Sequence, residues 1–534
     1  MVRGQTGRRG FMIGSGLTML GWSKAEAHSA VIRTKDGALE GVSTAVPGVT
    51  AWLGIPYAEP PVGPLRWRPP QPVRAWKGVR RADHFGHSPY APSSLSGDTD
   101  SAFTPADMSE DCLTLNVWAP PRRGTLRPVM VWIYGGAFIM GSSADPHYNG
   151  AALAAEDVVV VSLNYRVGIL GSFAHPELAR ESPQGVSGNY GLMDQIAALR
   201  WVRDNIEAFG GDPDNVTIFG QSAGAFSVAY HLVMPQSRGL FHRAIAQSGA
   251  PLGRPDSEIL LGRLPEMQQA GAAFGRRIGH PDLAGLRSLP PEILIREYGF
   301  SWQFYPVIDG FLVPEHPFRM LAAGNCARVP VMAGHNHDEG SLFPPIGNGT
   351  AAGLGKAVHQ IYGNEAGRVL SLMQAEPGAT PTTMGRDVFG DLVFNWNSIV
   401  LAMMMARVST SYAYRFDYRY ALPAVWGAKN ATAAPPGYAF HGAEIGFVFK
   451  TQPIWSERQH EQEDLMRRMS GYWLNFARNG NPNGAGLPQW PRYTPGQRQL
   501  FRLDERPPVL VPIENYERLA LLGKAMENRV LEQG

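Results

Sequence analysis

Cysteine is scarce in this sequence of 534 residues: Cys112 and Cys326 are the only two, and they lie far apart. This scarcity excludes a small scaffold held by disulfides and a cysteine-rich metal cluster. Charge of one sign is lacking as well, because the net charge is +2 and no long run of like charges occurs. The sequence offers no electrostatic reason to expect a nucleic-acid or acidic partner.

Long apolar runs are also lacking near the N-terminus. The uncharged, mostly apolar run at residues 10–23 is too short to span a bilayer as a helix, so no stable membrane insertion is expected. Hydrophobic residues make up 44% of the chain and charged residues 18%. That balance is typical of an ordinary globular protein, and the length allows a large core.

The first 28 residues have the pattern of an export signal. Arg3, Arg8 and Arg9 form a basic start, the apolar run of residues 10–23 follows, and residues 25–27 (Ala-Glu-Ala) offer a small-residue cleavage pattern. The paired arginines resemble a twin-arginine signal, which carries folded proteins to the bacterial periplasm. The sequence thus predicts export to the periplasm or secretion. The alternative is a basic N-terminus of a cytosolic protein.

Residues 29–534 are predicted to form a single α/β domain. Continuous apolar runs at residues 128–133 and 158–163 are typical of strands buried in a parallel sheet, and residues 190–209 have helical spacing. Further strand candidates lie at residues 30–33, 50–53, 216–219, 241–248, 329–334 and 412–416. This alternation predicts a mostly parallel central sheet with helices on both faces. Large helical insertions are expected at residues 255–300 and 345–410.

The segment from Phe209 to Gly224 is the most informative part of the sequence. It predicts a helix end, a turn, a short buried strand, and then Gly220-Gln-Ser222-Ala-Gly224 leading into an apolar helix. Gly-x-Ser-x-Gly between a strand and a helix is the nucleophile elbow of α/β-hydrolases. The strained turn lifts the Ser222 hydroxyl above the sheet, and the two glycines lack the Cβ atoms that would collide with neighbouring chains.

A serine nucleophile needs a base within hydrogen-bond reach, and the base needs an orienting carboxylate. In this fold the acid and the histidine follow the serine along the chain. The strand candidate at residues 329–334 runs into a loop that contains Asp338 and Glu339, and both are candidate acids on spacing alone. His441, which lies beside a glycine in a loop, is the candidate base.

A second glycine-rich turn directly follows the strand candidate at residues 128–133. Its sequence, Tyr-Gly-Gly-Ala-Phe at residues 134–138, resembles the oxyanion turn of lipases and esterases. Small residues there let backbone N–H groups approach a substrate oxygen and stabilise its developing charge. A tight turn without a catalytic role is the alternative, and the presence of an elbow in the same chain favours the oxyanion interpretation.

These motifs together resemble the type-B carboxylesterases, the family that includes bacterial carboxylesterases and the cholinesterases. The resemblance covers nearly the whole chain after the signal. It is carried by residues 209–224, 110–120, 54–66, 164–168, 309–310 and 473–483. It implies the α/β-hydrolase fold and serine carboxylesterase activity.

The resemblance also implies roles for individual residues. Ser222 corresponds to the nucleophile, His441 to the base, and Glu339 rather than Asp338 to the acid. The backbone N–H groups expected to form the oxyanion hole are those of Gly136, Ala137 and Ala223. Two side chains are expected beside the triad, Gln221 and Ser248. The pairs Arg66–Glu110 and Arg166–Asp194 correspond to structural ion pairs.

Two positions depart from the family pattern. Many members have Glu before the nucleophile, where this chain has Gln221, so a negative charge near the base is missing and the pH profile is expected to differ. Cys112 matches a cysteine that is often disulfide-bonded in the family, but the usual region of its partner, near residues 85–92, contains no cysteine. Cys112 is therefore expected to be unpaired.

The predicted function is hydrolysis of small-molecule carboxylic esters through an acyl-serine intermediate, without cofactor or metal. A metal site at His335 and His337 is a weaker interpretation because no third ligand is evident. Hydrolysis of carbamates or amides by the same triad is one alternative, and a non-catalytic binding module is another. Aromatic residues that could line an apolar pocket for aromatic or short-to-medium acyl groups, or simply pack in the core, are Trp302, Phe304, Tyr305, Phe343, Phe394, Trp396, Trp426 and Tyr438.

Overall fold

The computed structural model describes residues 31–92, 107–253, 261–299, 301, 303–420, 437–452 and 459–532. The export signal predicted at residues 1–28 lies outside these ranges, as do Trp302 and Trp426. The strands are β1 Val31–Arg33, β2 Ala38–Glu40, β3 Val42–Ser43, β4 Thr50–Pro56, β5 Val79–Arg81, β6 Thr114–Ala119, β7 Arg127–Ile133, β8 Val159–Leu163, β9 Gly211–Gln221, β10 Arg243–Gln247, β11 Gly262–Arg263, β12 Val307–Ile308, β13 Val331–Asn336, β14 Ser411–Phe416, β15 Gln499–Leu503 and β16 Val509–Pro512.

Helices occupy most of the chain between the strands. They are α1 Ala151–Ala154, α2 Gly168–Ser172, α3 Pro176–Glu181, α4 Tyr190–Asn205, α5 Ala223–Val233, α6 Leu264–Arg277, α7 Leu283–Ser288, α8 Pro291–Tyr298, α9 Pro317–Ala322, α10 Ala351–Tyr362, α11 Ala366–Gln374, α12 Pro381–Gly390, α13 Trp396–Met405, α14 Ile445–Phe449, α15 Gln459–Asn479 and α16 Tyr516–Glu532. A π-helical turn, Asp391–Asn395, joins α12 to α13. The predicted helical insertions correspond to α6–α8 and α10–α13.

Eleven strands form one large sheet in the order β16-β15-β14-β13-β10-β9-β7-β8-β6-β4-β3. The seven strands from β15 to β8 in this order run parallel, whereas β16 at one edge and β6, β4 and β3 at the other are antiparallel. Helices α5, α13 and α15 pack against its central strands. The predicted mostly parallel sheet surrounded by helices is confirmed.

The parallel strands are apolar because both faces of the sheet are covered. Every residue of β8 is buried, and β7 is buried except for one residue. The carboxyl ends of β7, β9 and β13 lead into the three turns that the sequence singles out. In a parallel sheet such turns meet at one edge, which is where ligands of open α/β sheets bind.

Two element boundaries differ from the sequence-based expectation. The helix expected at residues 190–209 is α4 followed by a short 3-10 segment, Ile206–Phe209, and Gly210 ends it in the left-handed region with φ 83°. Strand β9 begins at Gly211 rather than near residue 216 because Gly211 pairs with Arg127 across an irregularity in the ladder. The strand periodicity is weak there, so the sequence pattern missed this extension.

The run from Pro381 to Met405 is long and apolar enough to cross a membrane, but 78% of its most apolar window is buried inside the protein. The core helix of a globular protein can be equally long and apolar. Met404 and Met405 at its end are buried, as expected for core packing. This run therefore belongs to the protein interior and brings the π-helical turn close to the sheet.

The expected ion pairs and the expected unpaired Cys112 are present. Arg66 binds Glu110 through two hydrogen bonds of 2.7 and 2.6 Å, and Arg166 binds the fully buried Asp194 through bonds of 2.8 and 2.7 Å. Both pairs are paired in the fork geometry that suits guanidinium and carboxylate. Cys112 is buried and unpaired, which confirms the expectation for it.

Candidate active site

The elbow predicted around Ser222 is a strained turn between β9 and α5. Ser222 has φ 57° and ψ −125°, which non-glycine residues rarely adopt. A Cβ atom on Gly224 would lie 1.9 Å from the Ile133 carbonyl oxygen, and one on Gly220 would lie 2.6 Å from the same atom. The Ser222 N–H also donates to the Gln247 carbonyl at the end of β10 (2.9 Å). Both glycines are required by close packing of the backbone, as the sequence predicted.

The glycine-rich turn after β7 lies directly against this elbow. A Cβ on Gly135 would be 2.9 Å from the Cβ of Ser222, so the two turns are in contact. Gly136 has φ 108°, and both Ala137 and Phe138 have positive φ, which makes this a tightly wound loop. Its shape is held by bonds from Ile139 and Met140 to the Gly136 carbonyl and from Gly168 to the Phe138 carbonyl (2.6 Å).

The three backbone N–H groups expected to form an oxyanion hole are available. Within the part of the chain that the structure describes, the N–H groups of Gly136, Ala137 and Ala223 form no hydrogen bond. Ala223 is the first residue of α5, where the N–H groups of a helix lack intrahelical partners and favour negative charge. The arrangement can stabilise an oxyanion on a carbonyl group bound near Ser222.

The acid and base candidates meet beside the elbow. Glu339 begins a 3-10 turn after β13, is almost fully buried, and places Oε2 at 2.5 Å from His441 Nδ1. Its other oxygen accepts a bond from the Asn336 N–H (2.7 Å), which fixes the carboxylate orientation. Asp338 is directed elsewhere and binds the backbone of Ala439. Of the two acids that spacing left open, the structure places Glu339 on the histidine.

Ser222 and His441 form no mutual hydrogen bond in this structure, and the residue before Ser222 contacts the base instead. The amide nitrogen of Gln221 lies 3.1 Å from Nε2 and 3.5 Å from Nδ1 of the imidazole. An atom that close to both ring nitrogens lies over the ring face rather than in line with either lone pair. Catalytic hydrogen bonds of free enzymes are often long and tighten in the substrate complex. Gln221 thus contacts the base directly, at the position where the sequence departs from the pattern of the family it resembles.

Of the six predicted aromatic residues that the structure describes, two contact the base. Phe394 stacks on His441 with ring centroids 4.2 Å apart, and Phe343 meets it edge-on at 5.4 Å. Phe394 is carried there by the π-helical turn, a feature that often marks functional sites. The aromatic wall makes one side of the site apolar.

The other described aromatic candidates do not contact the base. Phe304 packs in a second core cluster with Phe173 and Tyr298, and Trp396 stacks on Phe318. Tyr305 is fully buried in the main core, and Tyr438 is half-buried. For Phe304 and Trp396 the structure therefore supports core packing. The sequence left both interpretations open because position along the chain does not show which way a side chain points.

A buried polar network behind the acid was missed by sequence reasoning. Glu444 is fully buried and accepts hydrogen bonds from Gln247 (3.0 Å) and Asn336 (2.6 Å), while Trp473 donates to Gln247 (2.9 Å). Burial, followed by the nearby charge of Glu339, raises the pKa of the Glu444 carboxyl. Its position three residues after His441 was the available signal, but no pattern in the sequence links it to Asn336.

The side chains of the remaining described candidates near the site form no hydrogen bond with the triad side chains. Ser248 follows β10 with φ 64°, and its buried hydroxyl has no hydrogen-bond partner among the described residues. His335 is buried, which lowers its pKa, and contacts the Asn336 carbonyl. His337 binds two carboxylates, those of Asp338 and Glu514. No cluster of three or more metal-ligating side chains occurs among the residues that the structure describes.

Comparisons with known proteins agree with this geometry. The model of the carboxylesterase family matches residues 28–517. Fumonisin B1 esterase of Sphingopyxis macrogoltabida is 38% identical over 485 residues, covering 87% of this chain and 84% of that protein. Para-nitrobenzyl esterase of Bacillus subtilis (strain 168) is 34% identical over 506 residues, covering 91% and 96%. A solved thermophilic PNB esterase superimposes with a TM-score of 0.79 at 32% identity, covering 92% of this chain and all of that one.

The matched region contains both glycine-rich turns, Glu339 and His441, and its solved relatives have the fold expected from the sequence. The α/β-hydrolase architecture and the activity class are thus supported by independent comparisons. The chain belongs to the carboxylesterase family and is a carboxylic ester hydrolase.

Proposed function

We propose that the protein hydrolyses carboxylic esters through an acyl intermediate on Ser222, with His441 as base and Glu339 as the acid that orients it. The observation that carries this proposal is the 2.5 Å contact between Glu339 Oε2 and His441 Nδ1 beside a strained Gly-x-Ser-x-Gly turn. A buried carboxylate on Nδ1 leaves Nε2 as the proton acceptor.

The reaction proceeds in two steps. His441 takes the Ser222 proton as the hydroxyl oxygen attacks the ester carbonyl, and then gives that proton to the leaving alcohol. Water then attacks the acyl-serine carbonyl as His441 takes one of its protons. The tetrahedral intermediate collapses, His441 gives that proton to the Ser222 oxygen, and the carboxylic acid is released. The N–H groups of Gly136, Ala137 and Ala223 stabilise both tetrahedral intermediates, and loss of one such donor typically costs about 3 kcal/mol of barrier.

The acyl groups that suit this site best are aromatic or short-to-medium aliphatic groups. Support comes from Phe343 and Phe394, whose apolar rings lie against the base. Aromatic pairs of this kind favour rings and alkyl chains over charged groups. Fumonisin B1 belongs in the substrate panel as well, because a relative at 38% identity is named for it.

The test is hydrolysis of p-nitrophenyl esters from acetate to dodecanoate by the mature chain and by Ser222→Ala. We expect a preference along the series, and a loss of at least about 1,000-fold in kcat for the variant. Incubation with an organophosphate should add one phosphoryl group to the wild-type protein and none to the variant. Activity that survives in Ser222→Ala would remove the mechanism.

The same panel separates the alternatives. Matched carbamate and amide substrates belong in the same panel. If they are cleaved faster than the ester, the protein is better described as a carbamate or amide hydrolase that uses the same triad. A folded protein that neither cleaves any of these substrates nor reacts with the organophosphate would favour a binding module.

We also propose that residues 1–28 direct export to the periplasm or the medium. Arg8 and Arg9 ahead of the apolar run support this assignment. Replacement of both arginines by lysine in a bacterial host should leave the precursor in the cytoplasm. Unchanged export of that variant would exclude the twin-arginine route.

A further inference from the structure

The loops that hold Glu339 and His441 are joined at a second point besides the contact between those two side chains. The Asp338 N–H donates to the Ala439 carbonyl (3.0 Å), and the Ala439 N–H donates to Asp338 Oδ2 (2.8 Å). Asp338 thus binds both backbone polar groups of one residue in the opposite loop. Ala439 is two residues before His441, and Asp338 is one residue before Glu339.

The carboxylate of Asp338 is itself held in place from the other side. His337 Nδ1 lies 2.7 Å from Asp338 Oδ1, and its Nε2 lies 2.9 Å from Glu514 Oε2. Arg415 in turn donates to Glu514 (3.0 Å). Burial lowers the pKa of His337, but its hydrogen bonds with the two carboxylates outweigh burial and raise the pKa to about 9. At neutral pH the ring is a cation that donates to both carboxylates.

Ala439 lies in the short segment that leads from Gly437 to the base His441, so its position affects where His441 lies. The Gly437 N–H donates to the Tyr420 carbonyl (2.7 Å), and residues 421–436 between them are outside the described ranges. Between Gly437 and His441 the chain is held at three successive residues. The Tyr438 carbonyl accepts from the Tyr420 N–H (3.5 Å), Ala439 forms the two bonds with Asp338, and the Phe440 carbonyl accepts from the Asn336 side chain (2.7 Å). Because Ala439 is only two residues from His441, we expect a displacement of Ala439 to shift the imidazole as well, and a misplacement of about 1 Å at a catalytic group can cost about 100-fold in rate.

We infer that Asp338 is a positioning residue for the reaction: its carboxylate holds the Ala439 N–H and thereby sets the distance of His441 from Ser222. This inference rests on the proposed function, in which His441 is the base. Asp338 does not compete with Glu339 as the acid, because its two oxygens are bound by His337 and by the Ala439 backbone.

The experiment compares the kcat of Asp338→Ala with that of Asp338→Asn. The concentration of active sites in each preparation is obtained from the p-nitrophenol burst. Asp338→Ala removes the acceptor, so kcat should fall about 10- to 100-fold with KM within about twofold. Asp338→Asn keeps an oxygen that can accept from the Ala439 N–H, and it should retain kcat within about threefold.

A matched control separates positioning from stability. Asp282 Oδ1 accepts a backbone bond of 2.7 Å from Gly285 at the start of α7, far from the site in the sequence. Asp282→Ala loses a similar bond and should lower the melting temperature without changing kcat. Asp338→Ser, whose hydroxyl is too short to reach Ala439, gives a second variant that lacks the contact.

Each outcome decides the inference. Unchanged kcat in Asp338→Ala would overturn it, and so would equal losses in Asp338→Ala and Asp338→Asn. Failure of both Asp338→Ala and Asp338→Ser to fold, when Asp338→Asn folds, would assign Asp338 to stability and also overturn it. Failure of the proposed function is distinguishable, because the wild-type protein would then show no hydrolysis that depends on Ser222.

Discussion

The two halves of the candidate site are built in different ways. The elbow half, residues 220–224 with the turn at 135–138, is shaped by the backbone: Ser222 and Ala137 have positive φ, and Gly224 has no room for a Cβ atom. The acid–base half, residues 336–339 and 439–441, is shaped by side-chain hydrogen bonds between loops about a hundred residues apart. The first half is a local structure, and the second is a tertiary one.

This difference decides how each half responds to substitution. In the elbow half the backbone is strained by roughly 1–3 kcal/mol per unusual residue and is kept in place by contacts that leave no space. In the acid–base half the two loops are joined by hydrogen bonds, and we expect that each can be removed singly while the chain still folds. We therefore expect all-or-none effects in the elbow half and graded effects in the acid–base half.

The largest effect is expected for Gly224→Ala. The new Cβ would lie 1.9 Å from the Ile133 carbonyl oxygen, which is part of β7 and cannot move aside cheaply. We expect a loss of at least about 3 kcal/mol in the free energy of unfolding and no measurable acyl-enzyme burst. Urea denaturation followed by fluorescence, together with p-nitrophenyl butyrate hydrolysis, measures both.

The control for Gly224→Ala is Gly355→Ala in helix α10. A Cβ on Gly355 has no atom within 4 Å, so the substitution should stabilise the helix by up to about 1 kcal/mol and leave activity unchanged. If Gly224→Ala folds and hydrolyses esters like the wild type, the elbow half is not closed by backbone packing, and the contrast between the two halves is lost.

The second largest effect is expected within the acid–base half, for Glu339→Gln. An amide there can no longer stabilise the imidazolium or select the tautomer, and comparable changes in serine-hydrolase triads cost about 10,000-fold in kcat. Glu444→Gln should cost only roughly tenfold, because Glu444 orients Asn336 rather than His441. Steady-state kinetics on one p-nitrophenyl ester compares the two variants. Equal losses in kcat would contradict the assignment of Glu339 alone as the acid.

The same contrast explains how far the sequence could be interpreted. Short motifs predict the elbow and the oxyanion turn, because glycines at fixed spacing mark positions where the backbone has no room for a Cβ atom or adopts a positive φ. Residue spacing left Asp338 and Glu339 open, and only the family resemblance favoured Glu339 before the structure placed it on His441. The Glu444 network and the stacking of Phe394 depend on tertiary contacts and on a π-helical turn that no local pattern announces.

A smaller effect is expected where the two halves touch, at Gln221. Its amide lies over the His441 ring at 3.1 Å from Nε2. Gln221→Glu adds a negative charge there, which favours the protonated imidazole. The acid limb of the kcat/KM profile should move to higher pH by about one unit, with the alkaline limb unchanged. A profile that does not move would show that the side chain turns away from the base in solution.

The smallest effect is expected on the free energy of unfolding, and it concerns the contact of His337 with Asp338 and Glu514 beside the acid–base half. Hydrogen bonds to Asp338 and Glu514 outweigh the effect of burial and raise the pKa of His337 to about 9 from its ordinary 6.5. A raised pKa contributes stability that is fully present below pH 6.5 and is lost as the pH rises through about 9. Because Glu514 is half exposed, water screens the pair, and the contribution is about 1–2 kcal/mol.

The measurement is the urea midpoint of the wild type and of His337→Gln at pH 6 and pH 9.5. The wild type should lose about 1–2 kcal/mol more than the variant between the two pH values, because glutamine cannot carry the charge that the carboxylates stabilise. The elbow half contains no ionisable side chain between residues 220 and 224, so a matched change there has no pH-dependent part. If the wild type and His337→Gln lose the same free energy of unfolding between the two pH values, His337 is neutral at pH 6. The contact of His337 with Asp338 and Glu514 would then make no electrostatic contribution to the acid–base half.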